Sequence, residues 1–102
     1  MNKYGAKRTY SQLCGCWFAS KAECVRGEEL HLLQLAGEIT DLEYQPKYRL
    51  CASPKITYAA DFRYKENGKV VVEDVKGVLT RDTRTKLAWV KEKYGIEVQL
   101  IR

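Results

Sequence analysis

The sequence predicts an α/β fold in which one mixed sheet of four or five strands is flanked by two helices. Two segments, 20–36 and 82–94, combine apolar residues at helical spacing with helix-ending signals. Strand-like segments lie between them and after the second. An Asn67-Gly68 dipeptide joins two of these segments, and it is the strongest short signal for a β-hairpin. The order helix, antiparallel strands, helix, strand is typical of an α/β sandwich.

The N-terminal segment is polar and basic. Residues 1–11 contain Lys3, Lys7 and Arg8, and they are predicted to form a mobile arm. Residues 12–18 are apolar enough for a short strand or a tight hairpin.

The first helix is predicted to begin at Ser20. Ser20 and Glu23 have the spacing of a capping box, in which each side chain bonds the backbone N–H of the other residue. The helix continues to about Ala36, and Gly37 is suited to the left-handed conformation that often ends a helix.

The central strands are predicted from alternation and turn residues. Residues 38–51 should form a strand that bends near Pro46 or lies at a sheet edge. Residues 56–64 and 70–76 should form the two arms of a hairpin around Asn67-Gly68.

The C-terminal part is predicted to contain the second helix, at 82–94, and a last strand, at 96–101. The 102 residues are enough for a single domain. No apolar run approaches the roughly 20 residues that span a bilayer, and residues 1–5 do not look like a secretory signal. We therefore expect a cytoplasmic protein without a membrane partner.

Charge favours a polyanionic partner, and the cysteines favour no particular site. The formal net charge is +5, which suits nucleic acid, although many small basic domains bind nothing in particular. The four cysteines, at 14, 16, 24 and 51, do not match a common zinc spacing. We expect four reduced thiols rather than a zinc site.

Two aspartates are predicted to face each other across the hairpin. If Asn67-Gly68 forms the two-residue turn, paired residue numbers sum to 135, and Asp61 lies opposite Asp74. Like charges at this separation are destabilising unless a cation lies between them or one carboxylate is protonated. Lys76 projects on the same side as Asp74.

This arrangement is suited to metal-assisted hydrolysis of a phosphodiester. Carboxylates bind hard cations such as Mg²⁺, which lower the pKa of bound water and offset charge on the phosphate. Lys76 could orient the water or neutralise the phosphate. The alternative is that these charged residues only solvate the sheet. A shift of one residue in register would break the geometry.

Three other charged residues have two possible roles. Glu23 is either a capping residue, which the residues alone favour, or a third site carboxylate. Glu73 should point away from Asp74, towards Phe62, and take a structural role. Lys86 follows Lys76 by ten residues, near the start of the second helix, and could reach the site.

Asp61 followed by Asp74-Val75-Lys76 resembles the signature of the PD-(D/E)XK nuclease superfamily. Almost the whole chain also resembles a family of small phage and prophage proteins, catalogued as a domain of unknown function and considered Holliday-junction-resolvase-like. The similar segments are Lys3-Tyr4-Gly5, Phe18-Ala19-Ser20-Lys21-Ala22-Glu23, Leu42-Glu43-Tyr44-Gln45-Pro46-Lys47, Tyr58-Ala59-Ala60-Asp61-Phe62 and Val72-Glu73-Asp74-Val75-Lys76-Gly77.

The resemblance implies a restriction-endonuclease-like core and a metal-dependent endonuclease, using Mg²⁺ or Mn²⁺, that cleaves branched or duplex DNA. It also raises Glu23 to a site residue and suggests a homodimer in the host cell cytoplasm. Alternatives are a nicking or repair nuclease without junction preference and a silent nucleic-acid-binding module. The expected catalytic residues are Glu23, Asp61, Asp74, Lys76 and Lys86, of which the first three would bind metal. The expected DNA-binding residues are Lys3, Lys7, Arg8, Lys21, Arg84 and Lys91.

Overall fold

The computed structural model describes residues 7–76 and 79–101. Within them the predicted fold class is confirmed: two helices accompany a mixed four-stranded sheet and two smaller hairpin sheets. The helices are α1 (Lys21–Leu35) and α2 (Arg81–Tyr94). The strands are β1 (Thr9–Ser11), β2 (Cys16–Phe18), β3 (Thr40–Tyr44), β4 (Lys47–Cys51), β5 (Ile56–Ala59), β6 (Phe62–Glu66), β7 (Lys69–Val75) and β8 (Gln99–Ile101).

The main sheet has the strand order β3-β6-β7-β8. Only the β7–β8 pair is parallel, because the chain crosses over through α2 before β8. The last strand begins at Gln99, three residues later than predicted. Neither described helix combines the length and the hydropathy that crossing a bilayer requires.

The β6–β7 hairpin has the predicted register. Asn67 and Gly68 both have positive φ, at 53° and 77°, as a type I′ turn requires. Phe62 pairs with Glu73 and Glu66 with Lys69, so paired numbers sum to 135. The turn therefore places Asp61 beside the end of β7.

Each of two predicted long strands is broken by a bend. Residues 38–51 form β3 and β4 on either side of Gln45-Pro46, and residues 56–64 form β5 and the start of β6 on either side of Ala60-Asp61. The bends face each other, since the Gln45 N–H donates to the Asp61 carbonyl at 2.9 Å. The halves beyond the bend form the separate β4–β5 sheet. Alternation cannot reveal such a change of sheet.

The last residues of the predicted arm, 1–11, belong to the folded part of the chain. Residues 9–11 form β1 and pair with β2, which confirms a hairpin in this region. The Ser11 side chain is buried and donates to Glu28 at 2.7 Å, which fixes β1 against α1. Lys3 lies outside the described residues.

The predicted helix ends are confirmed for both helices. Ser20 caps α1 by accepting a hydrogen bond from the Glu23 N–H at 3.1 Å. Gly95 ends α2 in the left-handed conformation, with φ of 68°. At the start of α2, Thr80 caps the helix by accepting from the Thr83 N–H.

Apolar residues form a cluster on each side of the sheet. The first cluster joins α1 and the β1–β2 hairpin to the sheet through residues such as Phe18, Leu30 and Phe62. The second joins α2 and the β4–β5 hairpin through residues such as Val72 and Val90. The sheet is therefore covered on both faces.

Gly27 allows α1 to approach the sheet closely. A Cβ at this position would lie 2.6 Å from Cζ of Phe18 and 3.3 Å from Cε1 of Phe62. Glu23 lies one turn earlier on the same side of the helix. The absence of a side chain at Gly27 therefore helps to hold Glu23 near the sheet.

We predict that Gly27→Ala destabilises the protein by about 1–3 kcal/mol, because overpacking outweighs the higher helix propensity of alanine. Chemical denaturation measures the change. In a Phe18→Leu background the same substitution should cost less, since the clashing ring is removed. An unchanged or increased stability in Gly27→Ala would contradict the close packing of α1.

Candidate active site

Asp61 and Asp74 lie together at the bend, as the hairpin register predicted. The Asp61 N–H donates to the Glu73 carbonyl at 3.1 Å, and its carboxylate accepts from the Val75 N–H at 2.7 Å. Both side chains are buried, with 8% of Asp61 and 0% of Asp74 exposed. Two carboxylates are thus adjacent in a place that water barely reaches.

The pKa of Asp61 lies well above its usual range. Burial raises the pKa of Asp61 to about 8, and the hydrogen bond and charge of Asp74 add to the effect. The charge of Glu23 contributes in the same direction, whereas the bond from the Val75 N–H opposes it. The surroundings therefore favour a proton shared by the two carboxylates, which is one of the two solutions expected for such a pair.

Asp74 has donors on only one of its two oxygens. Its Oδ2 accepts a short hydrogen bond from the Tyr58 hydroxyl and lies 3.3 Å from Nζ of Lys76. Its Oδ1 is buried and, apart from any proton shared with Asp61, has no donor among the described residues. A buried acceptor without a donor costs free energy, so its retention requires an explanation.

Tyr58 is a site residue that sequence reasoning missed. Strict alternation of side chains along residues 56–64 would put Tyr58 on the same face as Phe62 and on the opposite face to Asp61. The bend at Ala60-Asp61 changes the alternation, so Tyr58 lies in the second cluster and Phe62 in the first. Burial, followed by the bond to Asp74, raises the pKa of the Tyr58 hydroxyl, which therefore remains a donor.

Glu23 and Asp61 line the same small cleft. The cleft has a volume of about 220 Å³, and its lining includes Glu23, Asp61 and Trp17. The Glu23 side chain is only 2% exposed. Within the described residues it does not bond the Ser20 N–H, so only the Ser20 half of the capping box forms. The Glu23 carboxylate is therefore available to the cleft.

Glu73 has the structural role that the register predicted. Arg26 of α1 donates two hydrogen bonds to it, each of 2.7 Å, and the Tyr64 hydroxyl donates a third. The bonds to Glu73 raise the pKa of the Arg26 guanidinium. Of the two adjacent acids on β7, one is thus neutralised by α1 and the other faces the site.

Lys76 lies at the site, and the ion pair of Lys86 is elsewhere. Lys86 pairs with Asp82 of its own helix at 3.6 Å, rather than with Asp61 or Asp74. Its contact with the site therefore stays a prediction.

The other predicted DNA-binding residues are spread over the surface. Arg8 stacks on Trp17 at 4.9 Å, beside the cleft, and Lys91 pairs with Glu97 at 3.8 Å. Lys21 lines a second cleft, of about 430 Å³, next to Arg26. The two remaining described residues of this set, Lys7 and Arg84, are exposed.

The three carboxylates do not form a closed set of metal ligands. Over residues 7–76 and 79–101, no group of three or more His, Cys, Asp or Glu side chains is arranged to hold a metal ion. Mg²⁺ does not need such a group, since one or two carboxylates with water and substrate oxygens commonly hold it. None of the four cysteines, all of which lie in the described part of the chain, takes part in a disulfide.

The molecule is an α/β protein in which two buried aspartates lie together at the bend between β5 and β6. The pKa of one of them, Asp61, is raised. The chain belongs to the family described as "Protein of unknown function (DUF1064)", whose model matches residues 1–101. The expected unknown-function family is thus confirmed, and its relation to nucleases stays a prediction. No curated protein and no solved structure matches the chain.

We predict that Asp61→Asn alters how stability depends on pH in EDTA. The folded pKa of Asp61 is raised, so its contribution is fully present below about pH 4 and is lost as pH rises through about 8. Asparagine can imitate the protonated acid at every pH. The variant should therefore gain stability relative to wild type as pH rises from about 4 to about 8. Denaturation at several pH values measures the difference, and a constant difference would contradict a retained proton.

Proposed function

We propose that the protein is a divalent-metal-dependent DNA endonuclease that cleaves branched or structured DNA. The observation that carries the proposal is the buried Asp61–Asp74 pair, in which Oδ1 of Asp74 has no N–H or hydroxyl donor among the described residues and the pKa of Asp61 is raised. A protein that needed only a stable sheet would gain from apolar residues at these positions. A function that requires two adjacent carboxylates explains why both are present.

The acidic pair fits a hard divalent cation, Mg²⁺ or Mn²⁺. Asp61 and Asp74 would hold it, with Oδ1 of Asp74 offering a free acceptor oxygen. When bound, such an ion supplies an acidified water and offsets negative charge on the phosphate. Loss of the Asp61 proton would accompany its binding, since ligands must be deprotonated.

Lys76 and Tyr58 have separate tasks in this proposal. Lys76 carries a positive charge next to Asp74 and is partly exposed, so it can contact a phosphate or the attacking water. Tyr58 is buried and bonds Oδ2 of Asp74, which leaves Oδ1 directed away from that donor. We assign Tyr58 as a positioning residue for Asp74.

Glu23 would act from the cleft that it lines together with Asp61. It is near enough for its charge to raise the pKa of Asp61, and it lacks the capping bond to Ser20 within the described residues. A buried carboxylate there can accept a hydrogen bond from a metal-bound water or accept its proton. We propose this role in place of the capping role.

DNA as substrate is supported by the net charge of +5 and by basic side chains on the same molecule as the acidic pair. Preference for branched DNA and action as a homodimer follow from the resolvase resemblance, because a symmetric junction needs two cuts. A plasmid-nicking assay with Mg²⁺, Mn²⁺ or EDTA tests the activity, and cleavage of a four-way junction beside matched duplex tests the preference. Binding without metal-dependent cleavage would favour a silent binding module.

We predict that Asp74→Asn abolishes metal-dependent nicking while the protein remains folded. The amide removes a ligand charge, yet its oxygen can still accept a bond from Tyr58, and it removes the charge that raises the pKa of Asp61. The variant should melt in EDTA no lower than wild type. Asp82→Asn, an exposed acid on α2, is the matched control and should nick normally. Wild-type nicking by Asp74→Asn would remove the catalytic assignment.

We predict that Glu23→Gln lowers the nicking rate by about a hundredfold or more, in the range for a positioned acid–base group. Stability should change little, because the Ser20 cap bonds the backbone of residue 23 and not its side chain. Glu29→Gln, on the exposed side of the same helix, is the control. A well-folded Glu23→Gln protein with full activity would restrict the site to Asp61, Asp74 and Lys76.

A further inference from the structure

The β1–β2 hairpin presents two large aromatic side chains to solvent. Tyr10 and Trp17 are paired across the strands, so their side chains lie on the same face. Their rings pack edge to face with centroids 5.3 Å apart, but 49% of Tyr10 and 56% of Trp17 remain exposed. Arg8 holds its guanidinium over the Trp17 ring at 4.9 Å. We call these three residues, Arg8, Tyr10 and Trp17, the aromatic face.

The inward face of the same hairpin already accounts for its packing. Ser11 and Phe18 are buried there, against α1 and the first cluster. Small polar residues on the outward face would solvate the hairpin equally well. A single cross-strand pair contributes little stability, which leaves the large exposed area of both rings unexplained.

The aromatic face adjoins the candidate active site. Trp17 lines the same cleft as Glu23 and Asp61, so a molecule bound on its ring would lie next to the carboxylates. Arg8 adds a fixed positive charge to this side of the cleft. Exposed π surface, a guanidinium and acidic catalytic groups therefore occur within one continuous surface.

This combination matches a nucleotide whose base is not paired. An unpaired base can stack on an aromatic ring, and a guanidinium can stack on the base or bond its phosphate. Bases inside a duplex have their faces covered by their neighbours, so a duplex offers the ring nothing to stack on. A protein partner would use the rings without needing Arg8 or the neighbouring carboxylates.

We propose that the aromatic face binds an unpaired nucleotide beside the scissile phosphate, so that the substrate class is DNA with a single-stranded segment at a branch or flap. This inference rests on the proposed endonuclease function and specifies its substrate. Trp17 supplies the stacking surface, Tyr10 supports its ring from the neighbouring strand, and Arg8 contacts the base or the phosphate.

Binding in EDTA tests the proposal without cleavage. The probes are a labelled matched duplex and the same duplex carrying a single-stranded flap. Trp17→Ala should weaken flap binding about tenfold or more, as the loss of one stacked base does, and change duplex binding no more than about twofold. Trp17→Phe should retain most of the flap affinity. Tyr94→Leu is the control, since Tyr94 is an exposed aromatic residue on α2.

Three results would overturn the inference. The first is equal affinity of the wild-type protein for flap and duplex. The second is an equal loss for both DNAs in a folded Trp17→Ala variant. The third is self-association that Trp17→Ala abolishes without any effect on flap binding, which would assign the aromatic face to a second copy of the chain. Nicking in Mg²⁺ on the same preparations is scored separately: its absence with an intact flap preference would remove the proposed activity and leave the binding surface.

Discussion

Placing two carboxylates side by side in a buried position costs free energy, and the centre of this molecule is organised around that cost. The pKa of Asp61 is raised, and Asp74 receives the Tyr58 hydroxyl and the Lys76 ammonium on one oxygen. The Val75 N–H bonds Asp61 as well. These contacts hold the pair in place but leave one oxygen of Asp74 without an N–H or hydroxyl donor among the described residues. In the proposed function, that oxygen is where a cation would bind.

Helix α1 provides the second half of the site, and two features attach it to the sheet. Arg26 forms a bidentate ion pair with Glu73, which directs that acid away from the site and anchors the helix to β7. Gly27 lets the helix approach the rings of Phe18 and Phe62. Together these contacts set the position of Glu23, one turn before Gly27, at the cleft that Asp61 lines. In the proposed function, the distance from α1 to the sheet would therefore affect activity as well as packing.

Turn and capping residues in the sequence were sufficient to predict the hairpin register and the ends of the helices. Asn67-Gly68 determines the hairpin register, and the register determines the Asp61–Asp74 pair. The change of sheet at Ala60-Asp61 leaves no periodic signal, so Tyr58 was placed on the wrong face. Glu23 could not be assigned from spacing alone, because a capping residue and a site carboxylate occupy the same position in a helix. The position of Lys86 in the chain suggests that it could reach the site. In the structure its ion pair is with Asp82 of the same helix.

We propose that the Asp61–Asp74 pair loses a proton when it binds a divalent cation. Calorimetric titration of Mn²⁺ into the protein, in two buffers with different ionisation enthalpies, counts the protons released on binding. Near neutral pH the account predicts release of about one proton per metal ion, since the pKa of Asp61 is about 8 without metal. In Asp61→Asn the release should disappear and binding should weaken. Tight binding without proton release in the wild-type protein, or unchanged release in Asp61→Asn, would contradict the account.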